Sequence, residues 1–244
     1  MPSQASGALT DAERRSLDED GFVVLYDVLT RGQAGAIVDR IRTLAETTER
    51  DYGREAVVEP EVIKLVDLIN GGEVFDVGYT HRRVLAAASH VLGGDIKFHS
   101  MGSRSAPPGH GRQALHLDFG RDLGQPRPAG CNTLWTLVDF SRRNGGTRIV
   151  PGSHRSGQNP RQALDDPEAD APNEIRLEAP AGSVVVFSGH TWHGGAQNLG
   201  DEVRWALLSA FCKRDHAQDP PLAETIDDGV RARLSAESRR LLDL

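Results

Sequence analysis

At Gly93-Gly94 the hydrophobic period of the chain changes from mainly helical to alternating, and this change limits the folds open to it. Before that point apolar residues recur at helical spacing: Ile37, Ile41 and Leu44 in one run, Val84, Leu85, Ala88, Val91 and Leu92 in another. After it, short β-branched and aromatic runs alternate with Gly- and Pro-rich turns. Residues 1–9 read as a flexible lead, and Thr10-Asp11-Ala12-Glu13 as a capping box opening a short helix that stops near Asp20-Gly21. Phe22 to Tyr26 reads as a strand, Thr30 caps a second helix, and residues 50–60 form a polar loop. Residues 61–69 fit strand or helix equally and end at Asn70-Gly71-Gly72; residues 80–92 predict an amphipathic helix.

Strands are expected over 95–105, 132–140, 147–150, 183–187 and 204–212. Pro107-Pro108-Gly109, Asn144-Gly145-Gly146 and Pro180-Ala181-Gly182 supply the breaks, the second as a hairpin-type turn. Residues 155–173 read as a polar surface excursion able to act as a lid, and about 225–244 as a C-terminal helix carrying Val230, Leu234, Leu241 and Leu242. Helices followed by many short strands predict a mainly β protein with flanking helices, a cupin-like jelly roll or double-stranded β-helix. The expected layout is one domain over 1–244, with a helical part at about 10–93 and the jelly-roll core at about 95–213.

Twenty-eight basic against 35 acidic residues give a net charge of −7, which argues against a nucleic-acid partner. Cys131 and Cys212 each sit in an apolar run and read as two buried thiols rather than a bridge. No stretch approaches the roughly 18 apolar residues needed to span a bilayer, and the N-terminus has no apolar leader. The chain is therefore expected to be cytoplasmic, off the membrane, and a monomer or homodimer.

The chemistry is carried by His116-Leu117-Asp118 and His193. On an extended strand residues i and i+2 project from one face, so His116 and Asp118 point together and a third ligand completes a triangle. Two imidazoles and a carboxylate on one face suit non-haem Fe(II) above other divalent metals. His190 competes with His193 for the third position.

These residues, with Asp20-Gly21-Phe22-Val23-Val24, the stretch from Asn144-Gly145-Gly146 to Pro151-Gly152-Ser153-His154, and Trp192-His193-Gly194 with Asn198, resemble the phytanoyl-CoA dioxygenase family of Fe(II)/2-oxoglutarate-dependent oxygenases. The resemblance covers most of the chain. It implies that His116, Asp118 and His193 hold Fe(II), and that Arg204, eleven residues after His193, binds the distal carboxylate of 2-oxoglutarate. It further implies co-substrate contacts from Gln113, Thr147 and Lys64, and a pocket position for Trp135. Each has a plain structural alternative: polar strand or turn residues for Gln113 and Thr147, a solvated charge for Lys64, core for Trp135. The context Trp-His-Gly and the spacing to Arg204 favour His193 over His190.

His99, Met101 and Arg104, on the strand 95–105, are expected to line the substrate cavity, with core packing the alternative for Met101. His154 reads as a loop-shaping residue. The reaction implied, with O2 as oxidant, is hydroxylation of an unactivated C–H of a small molecule, releasing succinate and CO2. The closest branches act on secondary metabolites or other small organic molecules. Asp118 fills the position that halogenases of this kind keep small for chloride, so halogenation is not expected. Two rivals remain open: a jelly-roll protein that binds metal or oxoglutarate without turnover, and a metal-dependent hydrolase. The hydrolase lacks an evident general base and leaves Arg204 without a task.

Overall fold

A computed structural model describes residues 7–47, 61–218 and 221–244. The loop expected at 50–60, and residues 1–6 of the expected lead, lie outside the described residues. Residues 7–9 are not a free lead: Leu9 is buried in the core and its carbonyl accepts from Arg14.

Nine strands are described: β1 (Phe22–Leu25), β2 (Ile63–Leu65), β3 (Ile96–Ser105), β4 (Gly130–Thr136), β5 (Arg148–Ile149), β6 (Ile175–Arg176), β7 (Val184–Ser188), β8 (His193–Gly194) and β9 (Ala206–Lys213). They form a six-stranded sheet in the order β1-β7-β4-β9-β3-β2 and a three-stranded sheet in the order β6-β5-β8. All pairings are antiparallel. Two antiparallel sheets with the helices on one side make the jelly roll.

The helices α1 (Asp11–Glu19) and α2 (Arg31–Glu46) both open with capping boxes, Thr10 exchanging bonds with Glu13 and Thr30 with Gln33. Helices α3 (Val77–Thr80) and α4 (Arg82–Leu92) together occupy the segment expected as one helix, and α4 closes on Gly93 in the left-handed region. The ambiguous stretch 61–69 is strand β2 followed by a 3-10 turn at Leu68–Gly71. The excursion contains one turn of helix, α5 (Pro160–Ala163). The C-terminal segment is not one helix but three short ones, α6 (Leu222–Thr225), α7 (Asp228–Arg233) and α8 (Ala236–Leu242). Ile226 and Leu234, both buried and extended, break it where the chain wraps the core.

Alternation in the central strands divides the interior in two. Cys131 and Trp135 of β4, Val184 and Val186 of β7, and Leu207 and Phe211 of β9 pack against the helices. Leu134, Val185, Phe187 and Ala206 face the space between the sheets, joined by Phe140 and Ile149. Cys131 and Cys212 are buried free thiols, and burial pushes both up, Cys212 to about 11. No helix among the described residues is long and apolar enough to cross a membrane.

Candidate metal centre and co-substrate cavity

The two histidines are joined across the sheets by an antiparallel bridge, the His116 N–H donating to the His193 carbonyl at 2.9 Å and the reverse bond at 3.0 Å. Each imidazole has Nδ1 against the carbonyl two residues earlier: His116 on Ala114 at 2.9 Å, His193 on Thr191 at 3.0 Å. A carbonyl only accepts, so Nδ1 carries the proton and the lone pair is left on Nε2. The His116 Nε2 lies 3.6 Å from one Asp118 oxygen and the His193 Nε2 lies 3.4 Å from the other. Ligand atoms of all three residues fall within 4.8 Å of one another.

The electrostatics of this triangle favour a cation at its centre. Burial, then the neighbouring His193, hold His116 down at about 4, so it is neutral at pH 7. Confinement alone would raise Asp118, but the charge and hydrogen bond of His193, with His116 and Asn132, bring it to about 2. Burial would lower His193, yet the Asp118 carboxylate raises it. A divalent metal supplies at one point the positive charge that His193 and Asp118 together attract, and the N,N,O donor set fits it.

A residue not foreseen from the sequence completes the centre: Asn132 of β4 donates its amide to Asp118 Oδ2 at 2.8 Å. The only sequence signal was a polar residue within an apolar central strand.

The triad opens on a cavity of about 1090 Å³. Arg204, 3 % exposed, lies at its end beside β9, bridged through its backbone to Ala106. Its Nε is buried with no partner among the described residues, and its one bond, Nη1 to the Ala196 carbonyl, is long at 3.5 Å. The guanidinium stacks 5.3 Å from the Phe140 ring centre. Burial and the nearby Arg104 lower its pKa to about 10. A guanidinium held out of water without a carboxylate is costly, and its fork matches a bound carboxylate. The orphaned Nε is therefore a direct fit to an anionic co-substrate.

Gln113, Thr147, Lys64 and Arg104 all line this cavity. Gln113 Oε1 accepts from the Gly195 N–H at 3.1 Å, Thr147 is buried just before β5, and Lys64 stands opposite Arg104 across the β2–β3 pair. His99 also reaches the cavity. One expectation is corrected, and for Met101 both readings hold in part. Trp135 lies on the helix side of β4, its indole N–H bonded to Thr133 and Ser209 hydroxyls, and is core rather than pocket. Met101 borders the cavity, but its side chain packs in the helix-side core, with its terminal methyl against Gly78. The cause is a β-bulge between Phe98 and Ser100, which shifts the parity of every later residue in β3.

His190 is not a ligand. Its Nε2 pairs with Asp122 at 2.9 Å, behind the metal site. His154 fills the space above Gly21, which has φ +83 and no room for a Cβ, and so sets the turn between α1 and β1. The excursion 155–173 contributes nothing to the cavity wall. It is tied to the body instead: the Leu115 N–H donates to the Pro167 carbonyl, and buried Arg148 bonds the Gln113, Glu168 and Ala169 carbonyls and both Glu174 oxygens. Its role is a brace behind the His116 segment, not a lid.

The phytanoyl-CoA dioxygenase (PhyH) family model matches residues 17–206. Ectoine dioxygenase of Bordetella parapertussis is 25 % identical to this chain, over 88 % of it and 79 % of that protein. Among solved structures, EctD from S. alaskensis in its apoform superposes with a TM-score of 0.69 at 19 % identity, covering 87 % of this chain and 79 % of that one. The non-haem α-ketoglutarate-dependent carbocyclase SnoK from nogalamycin biosynthesis gives a TM-score of 0.69 at 19 % identity, covering 93 % and 91 %. The structural likenesses are likenesses of fold; the family match includes His116, Asp118, His193 and Arg204. The chain belongs to the phytanoyl-CoA dioxygenase family of Fe(II)/2-oxoglutarate-dependent oxygenases.

Proposed function

We propose that this protein is a 2-oxoglutarate-dependent hydroxylase of a small organic molecule, with His116, Asp118 and His193 holding Fe(II) and Arg204 holding the far carboxylate of 2-oxoglutarate. The observation that carries the reading is the buried, partnerless Nε of Arg204 in the same cavity as a His–Asp–His cluster. When bound, the iron supplies oxidation of a substrate C–H by O2, coupled to conversion of 2-oxoglutarate to succinate and CO2. The overall balance is one O2 consumed, one oxygen atom entering the substrate and one entering succinate.

The chain's own residues bind, orient and exclude water. Carbonyls of Ala114 and Thr191 fix both imidazoles with Nε2 towards the metal. Asn132 holds Asp118 in place. Arg204 offers a two-toothed cationic anchor whose strength rises because water is kept from it. Gln113, Thr147 and Lys64 line the co-substrate half of the cavity. Asp118 occupies the place where a halogenase would need room for chloride, so hydroxylation is the default outcome. SnoK, titled a carbocyclase, indicates that a related scaffold also serves ring closure, so the outcome depends on where the substrate carbon sits.

The test is an anaerobic titration with Fe(II) and then 2-oxoglutarate, following the visible metal-to-ligand charge-transfer band. The band is expected in wild type and absent in His193→Ala. In Arg204→Ala it is expected at roughly 100-fold higher 2-oxoglutarate, the loss typical of removing one partner of a buried charge pair. Wild type that binds metal but gives no band overturns the reading. Succinate release with substrate then separates an oxygenase from a binding protein or a hydrolase.

A further inference from the structure

The cavity has an axis, and strand β4 measures it. At one end Thr136 pairs with Ala206, two residues from Arg204. In the middle Asn132, paired with Ala210, reaches Asp118. At the other end Gly130 pairs with Cys212, and the Phe119 ring lies so close over Gly130 that a Cβ there would collide with it. If Arg204 and the metal take 2-oxoglutarate, the substrate is left the Gly130 end.

Three rings meet there. His99 and Phe119 stand edge to face with centroids 5.5 Å apart, His99 and His216 lie 6.0 Å apart, and Phe119 and His216 lie 5.7 Å apart. All three line the cavity. They come from separate parts of the chain: a β3 bulge, the residue after Asp118, and the loop after β9. The bulge inserts His99 between the Phe98–Phe211 and Ser100–Ala210 pairs, and such bulges re-aim side chains beside active sites. The cavity lining also includes the small residues Gly120, Ala129 and Ala210, and the charged Arg121, Asp122 and Asp215, close to Phe119 and His216 in the chain. The small residues leave room beside the three rings.

We propose that His99, Phe119 and His216 form a slot for the planar face of an aromatic or conjugated ring of the substrate. The proposal rests on the oxygenase reading, since that reading assigns the other end of the cavity to 2-oxoglutarate. Rings attract one another edge to face or offset beyond the area they bury. Phe119 is carried on the residue following a metal ligand, so a ring held against it lies beside the metal.

The experiment titrates the anaerobic Fe(II)·2-oxoglutarate complex, and in parallel the metal-free protein, with naphthol and with its fully hydrogenated counterpart decalol, by calorimetry. Naphthol is expected to bind about ten-fold tighter than decalol, as two ring contacts would give. The preference is expected to vanish in His216→Leu and to return in His216→Phe, which keeps a ring. Equal binding of the two probes, no binding of either, or a preference that survives His216→Leu overturns the slot. The charge-transfer band of the same samples reports on the oxygenase reading separately. A wild-type sample without the band but with the naphthol preference would sink that reading and leave the slot standing.

Discussion

At the scale of single residues, the site works by leaving the right atoms unpaired. Each metal-facing imidazole spends Nδ1 on a carbonyl, and the guanidinium of Arg204 meets no carboxylate among the described residues. Asn132 does the opposite, occupying Asp118 Oδ2 so that the carboxylate cannot swing. Asn132→Ala is expected to weaken Fe(II) binding about 10- to 100-fold, the range for lost partners of ligand residues, measured by metal titration. Affinity within two-fold of wild type would show that the bond is incidental. His190 and His193 make the contrasting pair. They are three residues apart and alike in sequence, but His190 is committed to Asp122. His190→Gln is expected to keep the charge-transfer band, whereas His193→Ala loses it; loss in both would reinstate His190 as a candidate ligand.

At the scale of elements, the β3 bulge and the brace around Arg148 decide what reaches the cavity. A regular β3 would put His99 and Met101 on one face. The extra residue turns Met101 to Ser209 and the helices and brings Arg104 to the cavity side. Arg148 is fully buried and Glu174 nearly so, and their pair joins the excursion to the segment that leads to His116. Breaking this pair leaves the buried Glu174 carboxylate with Arg176, 3.4 Å away, in place of its two closer bonds from Arg148. Arg148→Met is expected to cost about 3–5 kcal/mol. That corresponds to a fall in Tm on the order of 10 °C for a chain this size. The double change Arg148→Met with Glu174→Leu is expected to recover only the part of the loss due to the buried carboxylate, since the Gln113, Glu168 and Ala169 carbonyls still lack their donor. Equal melting of the single and double variants would mean the pair carries no such burden. At the other end of the chain, Thr30→Ala removes the cap of α2 and is expected to cost about 1 kcal/mol by thermal or denaturant unfolding.

At the scale of the whole molecule, the metal triangle is a joint between sheets. His193 lies on β8 of the three-stranded sheet, and Asp118 is held by β4 of the six-stranded one. A metal bound only by the folded arrangement stabilises it by mass action, about 2.7 kcal/mol at a hundred times Kd. Chelation is therefore expected to lower the Tm of the loaded protein by roughly 5–10 °C, and His193→Ala to abolish the difference. A metal-dependent shift that persists in that variant would place the ion elsewhere. What the sequence determined by itself was local or strictly periodic: the capped helices before Gly93, the alternating strands after it, and the His116-x-Asp118 projection; His193 and Arg204 entered through the family resemblance. What only the tertiary structure decided depends on which partner a residue meets across space. The side of β4 on which Trp135 falls follows from the helices that cover that face. The excursion is a brace and not a lid because Arg148 lies beneath it. The C-terminal helix breaks where Ile226 and Leu234 must reach the core. The meeting of His99, Phe119 and His216 has no signal along the chain at all, because one bulged residue in β3 and a loop beyond β9 bring them together, and register is set by pairing with distant strands.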